Sequence, residues 1–241
     1  MPLNLRVLES KMGTNFMLEC DMSEGVLRWL RRQNLSVKSE FALPWGICDF
    51  VGVQFDQAHV NKRLRLGQGR PIGPLPRVEL LRHIPERESG AAVTFRELQR
   101  SYATTFFSST LQHELQLLID NRFVVCNACG SFQKVNGWAP LHKRIVAVEM
   151  KLSRVSEALA QAAAHRMFAS ESYIAVPVAT ARRIVNSGRV AEFQDRGVGV
   201  LAVAPIHCTV LLPSSIGCAE VEPALQMHCV ERFWRTRDSS S

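Results

Sequence analysis

The segment that follows Arg144 constrains the fold most, because apolar strands and helices alternate there. Residues 145–152 and 173–178 are short apolar runs, and an Ala- and Leu-rich helical pattern covers residues 155–169 between them. A third apolar run follows at residues 198–204. Strands that alternate with helices pair in parallel through right-handed crossovers. This part of the chain therefore predicts an α/β fold.

The N-terminal part predicts a helix and a β-hairpin that extend this fold. Residues 23–33 place Val26, Leu27 and Leu30 on one stripe, as in an amphipathic helix. Two extended runs, 37–43 and 47–55, flank a Pro-Trp-Gly turn and are expected to pair with each other. A mixed central sheet flanked by helices follows from the two parts together.

Between these parts, the pattern predicts a separate module. Residues 57–76 are basic and rich in Gly and Pro, which is typical of a linker. Residues 77–137 contain three helical patterns and then two short extended runs around a turn; Thr94 and Glu97 form a capping box at the start of the second helix. Three helices followed by a β-hairpin is the arrangement of a winged helix.

The excess positive charge is concentrated in the same internal segment. The chain has a net charge of +7, and residues 57–144 hold 13 of its 29 basic and 6 of its 22 acidic residues, which leaves 16 of each elsewhere. A concentration of Lys and Arg favours a polyanionic partner, since each cation on a phosphate releases a counterion. A solvated basic surface is the alternative interpretation.

The third helix of the module carries polar side chains on the side opposite to its apolar stripe, which suits a helix that lies in a DNA groove. We therefore predict a DNA-binding surface made of Arg96, Arg100, Ser109, Gln112, His113, Gln116 and Lys134. A structural or protein-binding winged helix is the alternative.

Charged residues interrupt two strands that are otherwise apolar. Side chains alternate along a strand, so Glu149 and Lys151 share one face of the run 145–152, and we expect Val146, Val148, Met150 and Leu152 to pack on the helix that follows. Asp49 is a single acid in the apolar run 47–55. Burial of such groups is costly unless they are paired or bind a metal. A simple Glu149–Lys151 ion pair and an Asp49 turn cap are the alternatives.

An acid on the second strand, Glu-x-Lys on the third, and then an Ala-rich helix and another strand resemble the core of the PD-(D/E)xK, or restriction-endonuclease-like, nuclease superfamily. The resemblance covers residues 20–56 and 144–205. It implies a discontinuous α/β core at 1–56 and 144–241, a linker at 57–76 and an inserted winged-helix domain at 77–143. Cys48 stands where the family often has Pro, and 99 residues separate Asp49 from Glu149; the insertion accounts for that gap.

The resemblance also implies a chemistry. Asp49, Glu149 and the backbone carbonyl of Met150 would coordinate Mg²⁺ or Mn²⁺, and Lys151 would orient or help deprotonate the attacking water. Glu24 in the first helix resembles an acid that some members place near the metal. Gln161 corresponds to a polar residue that lines the site in several branches.

These features predict a cytoplasmic, metal-dependent endonuclease that hydrolyses phosphodiester bonds in duplex or branched DNA. Cutting both strands commonly requires a homodimer. No run of 18 apolar residues occurs, so no membrane span is expected. The first alternative is a nuclease-fold protein that binds DNA through the winged helix without cleaving it. The second is an adaptor whose basic segment contacts an acidic protein.

Overall fold

A computed structural model of the chain describes residues 16–135, 140–216 and 221–237. Contacts divide the chain into two compact units. The first comprises Met1–Gln54 with Arg144–Val221, and the second comprises Phe55–Lys143 with Glu222–Ser241. Within the described ranges, no helix is both long and apolar enough to cross a membrane.

Helices and strands alternate along most of the chain. The helices are α1 (Ser23–Arg32), α2 (Gln57–Arg65), α3 (Leu75–His83), α4 (Phe95–Ser101), α5 (Ser108–Asp120), α6 (Val155–His165), α7 (Val178–Asn186), α8 (Val190–Asp195) and α9 (Pro223–Arg237). The strands are β1 (Ser36–Leu43), β2 (Gly46–Phe55), β3 (Val93–Thr94), β4 (Val124–Cys126), β5 (Ser131–Lys134), β6 (His142–Met150), β7 (Glu171–Pro177), β8 (Val198–Ala204) and β9 (His207–Leu212).

The first unit is built on a mixed six-stranded sheet with the order β1-β2-β6-β7-β8-β9. The predicted hairpin is confirmed, because β1 and β2 pair antiparallel. The predicted parallel pairing is also confirmed: β6, β7 and β8 run parallel, and β9 returns antiparallel to β8. The chain is therefore an α/β protein with a mixed central sheet flanked by helices, as the strand–helix alternation indicated.

Each face of this sheet has its own apolar core, and one assignment of faces was wrong. Val146, Val148 and Met150 pack in a cluster with Val26 and Leu30 of α1. Residues of α6, α7 and α8 pack in a second cluster with alternate residues of β7 and β8. The apolar face of β6 therefore lies on α1, whereas we expected it on α6. Periodicity defines the two faces of a strand but does not say which helix covers each one.

The second unit contains α2–α5, α9 and a three-stranded antiparallel sheet with the order β3-β5-β4. Helices α3, α4 and α5 and the β4–β5 hairpin lie close to their predicted positions, and the Thr94–Glu97 capping box is present. Strand β3 was not predicted, because its two residues are too few to show a period.

Two domain boundaries differ from the prediction. The expected linker, 57–76, begins with helix α2, whose first turn is capped by the carboxylate of Asp56. Helix α9, which we assigned to the discontinuous core, belongs to the second unit. Its Glu231 forms a buried ion pair with Arg63 of α2. Long-range contacts of this kind leave no periodic signal in the sequence, so composition alone suggested a linker.

The new boundaries also change the charge distribution. Counted by unit, Phe55–Lys143 and Glu222–Ser241 hold 15 basic and 10 acidic residues, and the remaining residues hold 14 and 12. The second unit still carries most of the excess positive charge, +5 against +2, but no longer all of it. The first unit therefore has a net charge of +2 with these boundaries.

Candidate active site

Asp49 and the Glu-x-Lys residues meet between two adjacent strands of the first unit. Asp49 lies in β2 and Glu149 lies next to the end of β6, and these strands are neighbours in the sheet. Oδ2 of Asp49 accepts a hydrogen bond of 2.6 Å from the N–H of Met150, the residue between Glu149 and Lys151. The structure thus brings Asp49 close to Glu149 and Lys151, which follow it by about 100 positions in the chain.

Lys151 and His165 both contact the carboxylate of Glu149. Nζ of Lys151 donates a 2.9 Å hydrogen bond to Oε1, and Nε2 of His165 lies 3.3 Å from Oε2. All three side chains are buried, at 2% exposure for Glu149, 7% for Lys151 and 3% for His165. Ionised groups are stable at such depth only when they are paired, and each oxygen of Glu149 has a partner here.

These contacts move the pKa values of the two carboxyl groups in opposite directions. Burial raises the pKa of Asp49, and the charge of Glu149 adds to this, against the hydrogen bond from Met150. Burial opposes ionisation of Glu149 too, but the hydrogen bonds with His165 and Lys151 outweigh it and lower its pKa. For Lys151, burial favours the neutral amine, but the bond to Glu149 prevails and raises the pKa. At neutral pH, Glu149 and Lys151 therefore form an ionised pair.

A third acid, which we did not predict, contacts this pair. Glu19 lies in the short 3-10 helix Glu19–Met22 that precedes α1, and its Oε2 is 3.8 Å from Nζ of Lys151. Its Oε1 accepts a hydrogen bond of 3.3 Å from the N–H of Leu152. The predicted acid from this region, Glu24, instead pairs with Arg28 on the exposed surface of α1. Both acids lie near the helix start, and no sequence pattern distinguishes them.

Cys48 and His165 also lie at the site, and neither was predicted. Sγ of Cys48, a carboxylate oxygen of Glu149 and a ring nitrogen of His165 lie within 4.8 Å of one another, and all three residues are buried. Sγ of Cys48 lies 3.3 Å from the carbonyl oxygen of Phe50, and burial raises the pKa of the thiol well above its ordinary value. Cys48 was noted only as a departure from the family motif, and His165 is one of seven histidines without a distinguishing pattern.

Two sets of metal-binding atoms therefore share Glu149. The carboxylates of Asp49 and Glu149 are hard oxygen donors, as Mg²⁺ and Mn²⁺ prefer. Cys48, Glu149 and His165 form a mixed sulfur, oxygen and nitrogen set, which Zn²⁺ prefers. The N–H of Met150 donates a hydrogen bond to Asp49. That the carbonyl oxygen of Met150 is a metal ligand stays a prediction.

Gln161 lies one helical turn before His165 on α6. Its Oε1 is buried, and so is Nδ1 of His165; within the described part of the chain, neither atom has a hydrogen-bond partner. Residues four apart on a helix lie on the same face. Gln161 and His165 therefore lie on one face of α6, where the described residues leave a buried polar atom of each without a hydrogen-bond partner. The role of Gln161 at the site stays a prediction.

The residues predicted to contact DNA all lie in the second unit. Those on α4 and α5 are exposed: Arg96, Arg100, Ser109, Gln112, His113 and Gln116. Gln116 donates a 2.8 Å hydrogen bond to Asp120. The prediction that Lys134 contacts DNA is wrong, because Lys134 is only 7% exposed and its ammonium lies 3.3 Å from the carboxylate of Glu86. We assigned it from its charge, but alternation along β5 directs its side chain inward.

Comparisons with known proteins do not assign this site. No protein-family model matches the chain, and no curated protein matches it. A solved protein of unknown function from Silicibacter pomeroyi is similar over 95% of this chain and 97% of its own, with 13% identity and a TM-score of 0.39. At that TM-score, the similarity supports no inference about fold or function.

Proposed function

We propose that this chain is a metal-dependent DNA endonuclease with a PD-(D/E)xK active site. The observation that carries the proposal is the hydrogen bond from the Met150 N–H to Asp49, which holds the β2 acid beside the Glu149–Lys151 ion pair. The alternatives of an isolated ion pair and an isolated turn cap do not account for the two features occurring together. Two acids and one amine are the groups that phosphodiester hydrolysis needs around a divalent ion.

The donor set fits Mg²⁺ or Mn²⁺. Asp49 and Glu149 would hold the ion, with the Met150 carbonyl and water as further ligands. When bound, the ion would supply Lewis-acid stabilisation of the scissile phosphate and lower the pKa of a bound water. Asp49 has one carboxylate oxygen bonded to Met150, which fixes its orientation, and each carboxylate oxygen has a second lone pair for a ligand.

Lys151 and Glu19 have separate parts in this mechanism. The ammonium of Lys151, whose pKa Glu149 raises, stays charged and offsets negative charge that develops on the phosphate. Glu19 lies 3.8 Å from that ammonium, which therefore has a second carboxylate partner besides Glu149. His165 holds the second oxygen of Glu149 and so restricts the rotation of that carboxylate. His165 and Glu19 act as positioning residues.

The second unit would supply affinity for DNA. Its order of helix, strand, two helices and two strands (α3, β3, α4, α5, β4, β5) resembles that of a winged helix, in which α5 would be the recognition helix. The exposed polar side chains of α5, Gln112, His113 and Gln116, would contact base edges, and Arg96 and Arg100 of α4 would contact phosphates.

Cleavage of supercoiled plasmid and of branched DNA in Mg²⁺ and Mn²⁺ tests the proposal. Asp49→Asn, Glu149→Gln and Lys151→Met are each expected to lower the rate at least 100-fold, because each removes a group from the reaction centre. The matched control is Asp195→Asn, a change in an exposed carboxyl group at the end of α8. Wild-type cleavage by the Asp49 and Lys151 variants would reject this active site.

A second candidate function is DNA binding without cleavage. The observation in its favour is that Lys151 and His165 already occupy both oxygens of Glu149, so the charge of this carboxylate is satisfied without a metal. Calorimetric titration with Mn²⁺ separates the two functions. The endonuclease requires Mn²⁺ binding that Glu149→Gln abolishes, whereas the DNA-binding protein shows salt-dependent DNA affinity and no metal binding.

A further inference from the structure

A surface cavity of about 660 Å³ opens beside the start of α6 in the first unit. It is lined by the segment that follows Lys151 and Leu152, by one side of α7 and by the loop before α8. None of its lining residues belongs to the active site described above. The cavity was not indicated by any sequence motif.

Arginine and hydroxyl side chains dominate this cavity. Arg154, Arg183 and Arg189 line it together with four serine and threonine residues, and Glu157 is the one acid in the lining. Arg154 pairs with Glu157, and Arg189 pairs with Glu192. Of the three arginines, Arg183 is the one that has no carboxylate partner among the described residues. It is exposed and donates a hydrogen bond to the hydroxyl of Thr180.

This lining suits a phosphate group. The planar guanidinium of Arg presents several N–H donors in a fixed fork, which matches two oxygens of a phosphate, and hydroxyl groups donate to the others. The first turn of α6 receives no side-chain cap from Arg154, so its N–H groups add a smaller positive contribution at the same place. An apolar ligand would leave these donors unsatisfied.

The cavity also lies close to the reaction centre along the chain. Ser153, the first lining residue, is two positions after Lys151, and an extended chain spans at most about 3.6 Å per residue. The Cα atoms of Lys151 and Ser153 are therefore within about 7 Å of each other, which is about the separation of neighbouring phosphates along one strand. A strand with one phosphate at Lys151 would have another phosphate within reach of the cavity.

We propose that the cavity lined by Arg154, Arg183 and Arg189 binds a phosphate group of the nucleic-acid strand next to the one that is cleaved. This inference rests on the proposed function for the identity of the ligand as DNA. Two sources have the required chemistry: an internal phosphodiester and the 5′-phosphate of a strand end. Arg183 provides the main contact, and Arg154 and Arg189 narrow the cavity around it.

Binding in EDTA tests this proposal without any metal or cleavage. Inorganic phosphate is titrated against the full chain by NMR, and two fluorescent oligonucleotides of one sequence, with and without a 5′-phosphate, are titrated by anisotropy. Arg183→Ala is expected to abolish phosphate binding and to weaken DNA binding about ten-fold. It should also lower by about one the slope of the logarithm of DNA affinity against the logarithm of salt concentration. Arg183→Lys keeps the charge and should have the same slope as the parent. Arg31→Ala, an exposed arginine of α1, is the control.

The two oligonucleotides identify the source of the phosphate. An equal loss of affinity on both supports an internal phosphodiester, and a loss confined to the phosphorylated strand supports a 5′-end. The proposal is overturned if Arg183→Ala and Arg31→Ala have the same effect on phosphate and on both strands. If Mg²⁺-dependent cleavage is absent while phosphate binding depends on Arg183, the nuclease proposal fails and the cavity assignment stands.

Discussion

Nε2 of His165 lies 3.3 Å from Oε2 of Glu149, a contact that joins the last residue of α6 to the penultimate residue of β6. It fixes the carboxylate on which both metal-donor sets depend. Cys48 completes one set from the neighbouring strand β2, and Asp49, the next residue, completes the other. Which metal would bind here therefore depends on which of the two donor sets would receive it.

Replacement of Cys48 distinguishes the two donor sets. If Mg²⁺ or Mn²⁺ binds through oxygen, Cys48→Ser should keep Mn²⁺ affinity within about three-fold, because a thiol is a poor ligand for a hard ion. His165→Ala should weaken Mn²⁺ binding about 10- to 100-fold through loss of support for Glu149. Calorimetry with Mn²⁺ and Zn²⁺ measures both. Tight Zn²⁺ binding that Cys48→Ser abolishes would contradict the oxygen set.

The raised pKa of Asp49 predicts a pH-dependent gain in stability on its removal. A carboxyl group with a raised folded-state pKa adds stability below its unfolded pKa, and this contribution is lost as pH rises through the folded value. Asp49→Asn does not titrate, so its advantage over the parent should grow as the pH rises from about 4, the ordinary value for Asp, towards neutrality. We expect a gain of about 0.5–2 kcal/mol at neutral pH, together with lost cleavage.

Thermal unfolding of the parent, Asp49→Asn and Asp195→Asn across that pH range measures this effect. Asp195→Asn, a change in an exposed carboxyl group, is the control with which the pH dependence of Asp49→Asn is compared. A difference between Asp49→Asn and the parent that does not change with pH would show that Asp49 has no raised pKa.

Glu19 and Glu24 give opposite expectations for activity. Because Glu19 contacts Lys151 and the N–H of Leu152, Glu19→Gln should lower the cleavage rate about 10- to 100-fold, as loss of a supporting contact commonly does. Glu24→Gln removes only an exposed pair with Arg28 and should leave the rate within two-fold of the parent. Single-turnover cleavage kinetics compare the two variants. The reverse order of sensitivity would favour the original assignment of Glu24.

The buried ion pair between Arg63 and Glu231 is expected to dominate the stability of the second unit. Arg63 is 2% exposed, and its guanidinium also lies 5.0 Å from the ring centre of Trp234 and bonds to the carbonyl oxygen of Gln68. Glu231→Gln leaves a buried cation without its counter-charge and should lower the free energy of unfolding by about 3–5 kcal/mol. Urea unfolding followed by circular dichroism measures this.

The matched comparison is Glu24→Gln, which breaks an exposed ion pair and should cost less than about 1 kcal/mol. Equal costs for the two changes would show that the Arg63–Glu231 pair is not buried in solution.

Gly25 permits the close approach of α1 to the sheet. A Cβ atom at this position would lie 2.7 Å from the carbonyl oxygen of Ala204, which is backbone and cannot move aside. Gly25→Ala should therefore lower the free energy of unfolding by about 1–3 kcal/mol. Gly188→Ala is the control, because a Cβ there meets no atom within 4 Å. Thermal unfolding of both variants tests the packing of α1, and equal stability would contradict it.

Local patterns were enough to determine most of the elements of this protein, although β3 and α2 were missed. The β1–β2 hairpin, the strand–helix–strand segment after Arg144 and the Thr94–Glu97 capping box all depend on residues close in sequence, and the structure confirms them. The prediction that Asp49 and Glu-x-Lys share one location came from their chemical type, since an acid in an apolar strand needs a partner.

Only the tertiary structure decided which distant residues complete the arrangement. His165, Cys48 and Glu19 come from a helix end, a strand and a 3-10 helix, and no spacing in the sequence links them to Glu149. The same holds for α9, whose place in the second unit depends on the contact of Glu231 with Arg63, 168 residues apart. Short-range periodicity records which face of an element is apolar, whereas the partner of that face, and of each buried charge, is fixed only when the whole chain packs.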